Sequence, residues 1–358
     1  KFLSLDLGSK NTKILHGGIE KNKLFINEYF IEKTPEHAID DGKIINIDIL
    51  TGFINGVLKM NKIREKNLVI NITGTGVITR DIQLPRSTDE EIEKILEFEA
   101  PQYFPVELQS YNLDFKVQEE FDNEDGLFIR VLLVAVPNNQ LDIYMEVPSK
   151  LGMEIAAIDI PANSINKLLY GDKKTLVINN NKLPDEFAVI DMGANTTGVY
   201  IFSAGKLRFN RILLNGSCDI DEMISKHLNM DLDKAEDFKI KSGYIAYDEE
   251  AAIKKGSLAQ TNKVIKTEVN RIINDISRFF EFYNSRNTDN RLDKIFLCGG
   301  GSKLKGFDSY LSNYFGIPVE HLYTFLDYIE YRGGKGQEQF KEDIPYLASA
   351  LGGIVRSK

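Results

Sequence analysis

The chain has 358 residues, of which 42% are hydrophobic and 27% are charged, enough for two or three domains with hydrophobic cores. Its formal net charge of −9 disfavours broad electrostatic binding to nucleic acid or anionic lipid, and we expect no nucleic-acid partner. The cysteines are Cys218 and Cys298, and no apolar run is long enough to cross a bilayer, which argues against a disulfide framework and a transmembrane helix. Without a signal-peptide pattern, these features predict a cytoplasmic protein.

The first predicted element is a β-hairpin with an acidic tip. Within Phe2 to Gly17, an apolar strand ends at Asp6, Gly8 and small polar residues follow, and a second strand returns. A turn that glycine permits lets several backbone N–H groups converge on a phosphate, and a nearby carboxylate can hold a divalent cation through water. A single hairpin of this kind is more often plain structure than a phosphate site, so both interpretations stay open.

The next region is predicted to be α/β, followed by an inserted subdomain. Ile47 to Met60 has apolar side chains at helical spacing, and Leu68 to Thr73 is typical of a strand. The composition then changes, and a helix with a capping box at Ser87 or Thr88 begins a second set of elements. That set continues with a strand over 111–118, an acidic turn over 119–126, a strand over 127–136, a helix over 138–151 and a strand over 154–160.

The second half of the chain contains a second copy of the hairpin. Pro161 to Tyr170 is predicted to be helical, and Phe187 to Lys206 then repeats the pattern of strand, aspartate, glycine and strand. The elements predicted after it are a strand over 207–214, helices over 219–227, 231–243 and 263–285, a strand over 292–298, a helix over 304–315, a loop over 323–340 and a helix over 345–355.

Three glycine-bearing turns therefore follow one another along the chain. The two hairpins lie almost half the chain apart, which predicts two similar subdomains whose tips face each other across a cleft. The third turn, Gly299 to Ser302, stands between a strand and a helix, where missing side chains let a flat base or a phosphate approach the backbone. Each turn alone is a common connector, whereas the set in this order is much more specific.

With these three turns, the chain resembles the actin-like ATPase superfamily. The resemblance implies an α/β, ribonuclease H-like fold of two domains that hold ATP or ADP between them. It implies Mg²⁺ held through water by Asp6 and Asp191, and a phosphate contact from Lys13, which is otherwise a solvent-facing strand lysine. The nucleotide-binding residues that it implies are Asp6, Gly8, Ser9, Lys10, Asn11, Lys13, Asp191, Gly193, Ala194, Asn195, Thr196, Glu236, Lys239, Gly299, Gly300, Gly301 and Ser302.

Glu236 and Lys239 are assigned by resemblance to the FtsA-like branch, where they would face the ribose and the adenine. Without that context they form an ordinary surface pair at i, i+3 spacing. Within the branch, the chain is identified as a member of the type IV pilus assembly PilM family. The segments that carry this similarity are EEIEKILEFEAPQYFPVELQSYNLDF, AIDIPANSINKLL, LNGSCDIDEMISKHLNM and the closing ASALGGIVRS.

The resemblance also implies a division of the chain into four subdomains. Subdomain 1A takes 1–81, 161–182 and 341–358, the FtsA-type insert 1C takes 82–160, subdomain 2A takes 183–210 and 288–340, and subdomain 2B takes 211–287.

The function implied is that of an ATP-binding scaffold at the cytoplasmic face of the inner membrane, held there only through partners. The implied partner is the N-terminal cytoplasmic peptide of a PilN-like membrane protein, with the pilus motor ATPases and a second copy of the chain as further candidates. The implied peptide groove lies between the first domain and the insert. We expect segments 78–84 and 92–104 to line it, or their apolar side chains to be core.

Two departures from the family pattern predict slow or negligible hydrolysis. The second tip reads GANTT where relatives tend to have GGGTT, so a side chain crowds the γ-phosphate. The residue in the water-positioning place is Asn163, which can orient a water but is a poor general base. The alternatives are an FtsA-like filament-forming division protein and, with no evident sugar site, a sugar or acetate kinase.

Overall fold

The computed structural model describes residues 1–172, 176–178, 183–246, 257–286, 291–326, 328–334 and 336–356. The domain limits predicted at 182 and at 287–288 lie outside these residues. None of the helices in the described ranges combines the length and the apolar composition needed to cross a bilayer.

The first sheet has six strands in the order β10-β6-β1-β2-β3-β18. Strand β1 pairs antiparallel with β2 and parallel with β6, which pairs parallel with β10. Helices cover the sheet, so β1 is buried along almost its whole length, with Asp6 alone half-buried. The bounds are β1 Phe2–Leu7, β2 Asn11–Glu20, β3 Lys23–Lys33, β6 Asn67–Asn71, β10 Glu154–Asp159 and β18 Glu330–Tyr331.

The second sheet repeats the topology of the first. Its order is β15-β14-β13-β16-β17, with an antiparallel meander on one side of β13 and parallel strands on the other. Strands β13, β14, β15, β16 and β17 thus correspond to β1, β2, β3, β6 and β10, as the repeated hairpin predicts. The bounds are β13 Glu186–Met192, β14 Thr197–Ser203, β15 Lys206–Leu213, β16 Lys294–Cys298 and β17 Val319–His321.

The insert is a three-stranded antiparallel sheet in the order β7-β9-β8, with one helix packed against it. The helix is α2, Asp89–Tyr103, and its capping box forms at Thr88 with Glu91. The strands are β7 Ile78–Pro85, β8 Tyr111–Asn123 and β9 Gly126–Pro137.

Two features of the insert differ from the sequence-based expectation. The acidic segment 119–126 is mostly strand, because cross-strand pairs such as Glu119 with Arg130 and Phe121 with Phe128 stabilise it. The helix at 138–151 and the strand that follows do not lie in the small sheet. The strand is β10 of the first sheet, so the small sheet is built from residues 78–137.

Helices pack on the two main sheets and between them. The long apolar helix predicted near 263–285 extends over 257–286, and the small-residue helix predicted at 345–355 begins at Gln337 and carries Pro345 in its interior. A 3-10 turn, Gly300–Lys303, begins within the triple glycine, and the next helix starts at Phe307. The bounds are α1 Ile47–Met60, α3 Asn138–Leu151, α4 Pro161–Tyr170, α5 Ser217–Leu228, α6 Leu232–Ser242, α7 Ser257–Arg286, α8 Phe307–Phe315 and α9 Gln337–Ile354.

Short pairings complete the strand set: β4 Ile39–Asp40 with β5 Lys43–Ile44, and β11 Gly171–Asp172 with β12 Leu176–Val177.

One core connects the two halves at their base. It contains the apolar side chains of the first sheet together with Phe187, Phe202 and Phe296 from one face of the second sheet. The opposite face of the second sheet packs against α5, α7 and α8 in a separate core, and the insert has a third. The shared core fixes the two hairpins relative to each other.

Candidate functional site

A cavity of about 440 Å³ lies between the two hairpin tips. It brings together residues of all three glycine-bearing turns and of helix α6. The predicted residues that line it are Asp6, Gly8, Ser9, Lys10, Asn11, Lys13, Asp191, Gly193, Ala194, Asn195, Thr196, Glu236, Lys239, Gly299, Gly300 and Gly301.

The first tip places a lysine beside its aspartate. Lys13 stands opposite Asp6 in the β1–β2 register, and their charged atoms are 3.2 Å apart. The Lys13 side chain is only 17% exposed, which rules out the solvent-facing interpretation. At Gly8 a Cβ atom would lie 2.6 Å from the carbonyl oxygen of Asn11, so the turn has no room for a side chain. Gly8 therefore lines the cavity with backbone alone.

The second tip has no such lysine. In the β13–β14 register, Gly198 takes the place opposite Asp191, and a Cβ there would lie 2.1 Å from the Tyr200 hydroxyl. Burial, and then the charge of Asp6, raises the pKa of Asp191 to about 6, against smaller opposing effects of Lys13 and the Cys298 thiol. A cation bound between Asp6 and Asp191 would remove this cost.

The third turn closes the cavity with backbone alone. Gly299 has φ of +80°, and a Cβ atom there would lie 2.4 Å from the Met192 carbonyl oxygen and 2.5 Å from Asp191 Oδ1. At Gly300 a Cβ would lie 2.7 Å from the ring of Tyr346. Ser302 does not line the cavity. It is buried, and its hydroxyl donates to the Gly299 carbonyl at 2.7 Å, so it holds the turn.

Charged side chains bridge the mouth of the cleft. The ammonium nitrogen of Lys10, at the first tip, lies 2.7 Å from a carboxylate oxygen of Glu236 and 3.7 Å from one of Asp221. These two acids lie across the cleft on helices α6 and α5. Lys239 pairs with Asp221 at 2.7 Å and donates to the Ser217 carbonyl. Glu236 and Lys239 therefore do not form a plain surface pair, because each has a partner on another element.

The structure adds cavity residues that sequence reasoning missed. Lys303, Lys305 and Tyr346 line the cavity, and Asp221 orients two of its lysines. Tyr346 lies on helix α9, within the closing helix predicted over 345–355. No pattern in the neighbouring sequence marks this tyrosine as a cavity residue. The signal for Asp221 is tertiary: it is a buried carboxylate near the start of helix α5 that faces Lys10 and Lys239.

Asn163 is not brought to the cavity. Its side chain amide donates to Asp159 Oδ1 at 2.7 Å, and its oxygen accepts from Lys116 at 2.9 Å. This commits Asn163 to the start of α4 and to the insert. The prediction that it positions a water near the cavity therefore finds no geometric support.

The donor set fits a magnesium nucleotide. Five lysines and three carboxylates line the cavity, which suits a polyanion accompanied by a divalent cation. Among the described residues no three acidic, histidine or cysteine side chains cluster tightly enough to hold a metal by themselves. A Mg²⁺ ion here would need oxygen ligands from phosphates and water as well as from Asp6 and Asp191.

Comparison with known proteins shows which family the chain belongs to. The family model described as "Type IV pilus assembly protein PilM" matches residues 4–358. The cell division protein FtsA of Bacillus subtilis (strain 168) is 25% identical over 281 residues, which are 69% of this chain and 59% of that protein. The chain thus spans less than two thirds of that relative, and the interpretation as a division protein is not favoured.

Solved structures give the same fold. The PilM-PilN type IV pilus biogenesis complex matches with a TM-score of 0.80 at 22% identity, covering 98% of both chains. MreB5 of Spiroplasma citri bound to ADP matches with a TM-score of 0.53 at 14% identity, covering 98% of this chain and 94% of that one. The ethanolamine utilization protein EutJ from Carboxydothermus hydrogenoformans matches with a TM-score of 0.53 at 11% identity, over 99% and 89%. The fold is therefore actin-like, and the chain belongs to the type IV pilus assembly protein PilM family.

Proposed function

We propose that this protein is a scaffold of type IV pilus assembly that binds Mg²⁺ with ATP or ADP in the cleft. The observation that carries the proposal is the convergence of Asp6, Asp191 and the open backbone of Gly299 to Gly301 on one cavity. The solved structures of MreB5 with ADP and with AMPPNP, which share this fold, support a nucleotide as the ligand.

In this arrangement the two hairpin tips hold the phosphates. Lys13 and the backbone of the two tips would face the negative charge, and Mg²⁺ would bind through water between Asp6 and Asp191. The glycines of the third turn would face the adenine, with Glu236 on the ribose side. Since Lys10 already pairs with Glu236, phosphates entering the cleft would compete for its charge.

The nucleotide acts mainly as a structural or regulatory ligand in this proposal. Asp6 pairs with Lys13, Glu236 pairs with Lys10, and Asp191 is reserved for the cation. Asn163 is turned toward Asp159. The described lining therefore offers no spare carboxylate as a general base, and we expect turnover to be slow or negligible.

We expect Gly8→Ala to weaken nucleotide binding about tenfold, because the new methyl group forces the first tip away from the Asn11 carbonyl. Isothermal titration calorimetry with Mg·ADP measures the effect. Gly56→Ala is the matched control, since nothing lies within 4 Å of the added Cβ in helix α1. Equal affinity for the wild type and Gly8→Ala would contradict this role of the first tip.

The proposed protein partner is the N-terminal cytoplasmic tail of a PilN-like membrane protein. The support is membership of the PilM family and the matching fold of the PilM-PilN complex. Docking of such a tail would bring the protein to the inner face of the cell membrane through its partner. The motor ATPases and self-association stay predictions.

The burial of side chains in the two predicted segments supports one position for the tail. Most apolar side chains of the two predicted segments, including Ile82, Leu84, Ile92 and Phe104, are buried in the core of the insert. Ile78 is different, since it is half-buried and lines a cavity of about 230 Å³ between the start of β7 and strand β15 of the second sheet. We therefore place the tail beside the start of β7.

Ile78→Asp is expected to weaken binding of a synthetic PilN-type tail peptide at least tenfold. The introduced carboxylate would face an apolar side chain of the bound peptide and would lose its contact with water. Fluorescence anisotropy of the labelled peptide measures this. Phe98→Ser is the control, because Phe98 is 82% exposed on helix α2. Loss of binding in Phe98→Ser but not in Ile78→Asp would move the groove to the outer face of the insert.

A further inference from the structure

A second cavity, of about 350 Å³, lies between the insert and the second half of the molecule. Strands β7 and β9 of the insert form one side of it, and strand β15 and the end of helix α7 form the other. It shares no lining residue with the nucleotide cleft. Its lining is strongly basic, with the five arginines Arg80, Arg130, Arg208, Arg211 and Arg286.

Two of these arginines are neutralised by acidic side chains. Arg130 lies 3.0 Å from Asp81 and 3.2 Å from Glu119, and Arg208 lies 2.6 Å from Glu119. Five arginines against two carboxylates leave three positive charges, although the whole chain carries a net charge of −9. The buried Arg208 Nη1 also makes no hydrogen bond.

The other three arginines have no carboxylate partner among the described residues. Arg80 donates to the carbonyls of Tyr103 and Thr79, and Arg211 donates to the carbonyl of its neighbour Asn210. Arg286 lies over the ring of Phe282 at 4.4 Å. These contacts hold the guanidinium groups in place and leave their charges uncompensated.

The three charges also act on one another. Burial, followed by the charge of Arg286, lowers the pKa of Arg80, and burial, followed by Arg80 and Arg286, lowers the pKa of Arg211. Like charges are held together at a cost unless an anion sits between them. Planar guanidinium groups suit phosphate in particular, since each can donate two parallel hydrogen bonds to its oxygens.

We propose that this cavity binds a phosphate-bearing small molecule, with Arg80, Arg211 and Arg286 as its ligands. The phosphate joins the insert to the second half, because Arg80 belongs to β7 while Arg211 and Arg286 belong to β15 and α7. Strand β15 continues from Arg211 to Ile212, which lines the nucleotide cleft. Binding of the phosphate at Arg211 would thus change the position of Ile212 in the nucleotide cleft.

The test is calorimetric titration of the full chain with inorganic pyrophosphate in the absence of Mg²⁺. We expect one binding event that the double variant Arg211→Gln, Arg286→Gln weakens at least tenfold. Arg278→Gln is the matched control on the same helix, because Arg278 is 76% exposed and pairs with Asp275. The variant Lys13→Gln is titrated in the same way, because it would lose pyrophosphate binding if the probe entered the nucleotide cleft.

Each alternative result overturns the proposal. Absence of binding, or equal binding by the wild type and the double variant, removes the site. Loss of binding in Lys13→Gln alone assigns the probe to the nucleotide cleft. Citrate binding as tightly as pyrophosphate, with the same dependence on Arg211 and Arg286, makes the ligand a carboxylate. Circular dichroism of the double variant checks that it is folded.

Discussion

Asp191→Asn is expected to abolish Mg²⁺-dependent nucleotide binding and, at the same time, to stabilise the nucleotide-free protein above pH 6. The binding loss follows because the amide cannot replace a carboxylate at a hard cation. The stability gain follows because burial and Asp6 raise the pKa of Asp191 to about 6, so that ionising it costs folding free energy.

The sign follows from comparing the two states. Asp191 binds its proton more tightly in the folded than in the unfolded chain, so stability falls as pH rises from about 4 to about 6 and stays low above that. The asparagine variant lacks this dependence and should gain on the order of 2 kcal/mol at pH 7.5, with allowance for contact with water in the cleft.

Urea denaturation at pH 5 and at pH 7.5, together with calorimetric titration with Mg·ADP, measures both effects. Asp142→Asn is the control, because Asp142 is exposed on helix α3 away from the cleft. A variant that binds Mg·ADP normally would contradict the assignment. So would a variant less stable than the wild type at pH 7.5, since the carboxylate would then be stabilising the fold.

The second large effect is expected at the start of helix α4. Asp159 is 7% exposed in its side chain and accepts from Lys167 at 2.6 Å and from Arg356 at 3.1 Å. Replacing it by asparagine leaves both cations largely buried without a counter-charge, which we expect to lower the free energy of unfolding by about 3–5 kcal/mol. Chemical denaturation at pH 7 measures the loss.

A double variant separates this electrostatic cost from loss of shape. Adding Lys167→Met to Asp159→Asn should recover part of the stability, because the unpaired buried charge of Lys167 is removed and only that of Arg356 is left. Burial alone would raise the pKa of Asp159, but Lys167, Asn163 and Arg356 together lower it. The wild type should therefore lose this contribution only as the pH falls below about 4. No recovery in the double variant would contradict the account.

The sequence predicts the fold because its signals are local and repeated. The two hairpins share one order of aspartate, glycine and strand, and the structure places them at equivalent positions of two sheets with the same topology. Helix α1 and the Thr88 capping box are likewise marked by spacing and by cap residues.

The errors concern residues whose structure depends on distant partners. The polar run over 119–126 predicts a turn, yet residues 119–123 continue strand β8, where Arg130 and Arg208 neutralise Glu119 across strands. The sequence predicts a helix that starts at Pro345, yet this residue lies within α9, where its carbonyl accepts from the Gly299 N–H at 2.8 Å. Neither partner can be identified from neighbouring sequence.

The site shows the same division. The turn glycines and the aspartates before them can be predicted because each lies in a short local pattern that recurs along the chain. Other features of the site depend on tertiary packing and have no local signal. Lys10 pairs with Glu236, and Asn163 hydrogen-bonds to Asp159 and Lys116 instead of facing the cavity.

Hydrogen exchange with and without Mg·ATP shows whether the cleft holds a magnesium nucleotide. If the two tips and the third turn clamp one nucleotide, amides near Gly8, Gly193 and Gly300 should become protected together, and removal of Mg²⁺ should reduce the protection. Protection that is absent from all three turns at millimolar Mg·ATP, or that appears only elsewhere in the chain, would contradict the account.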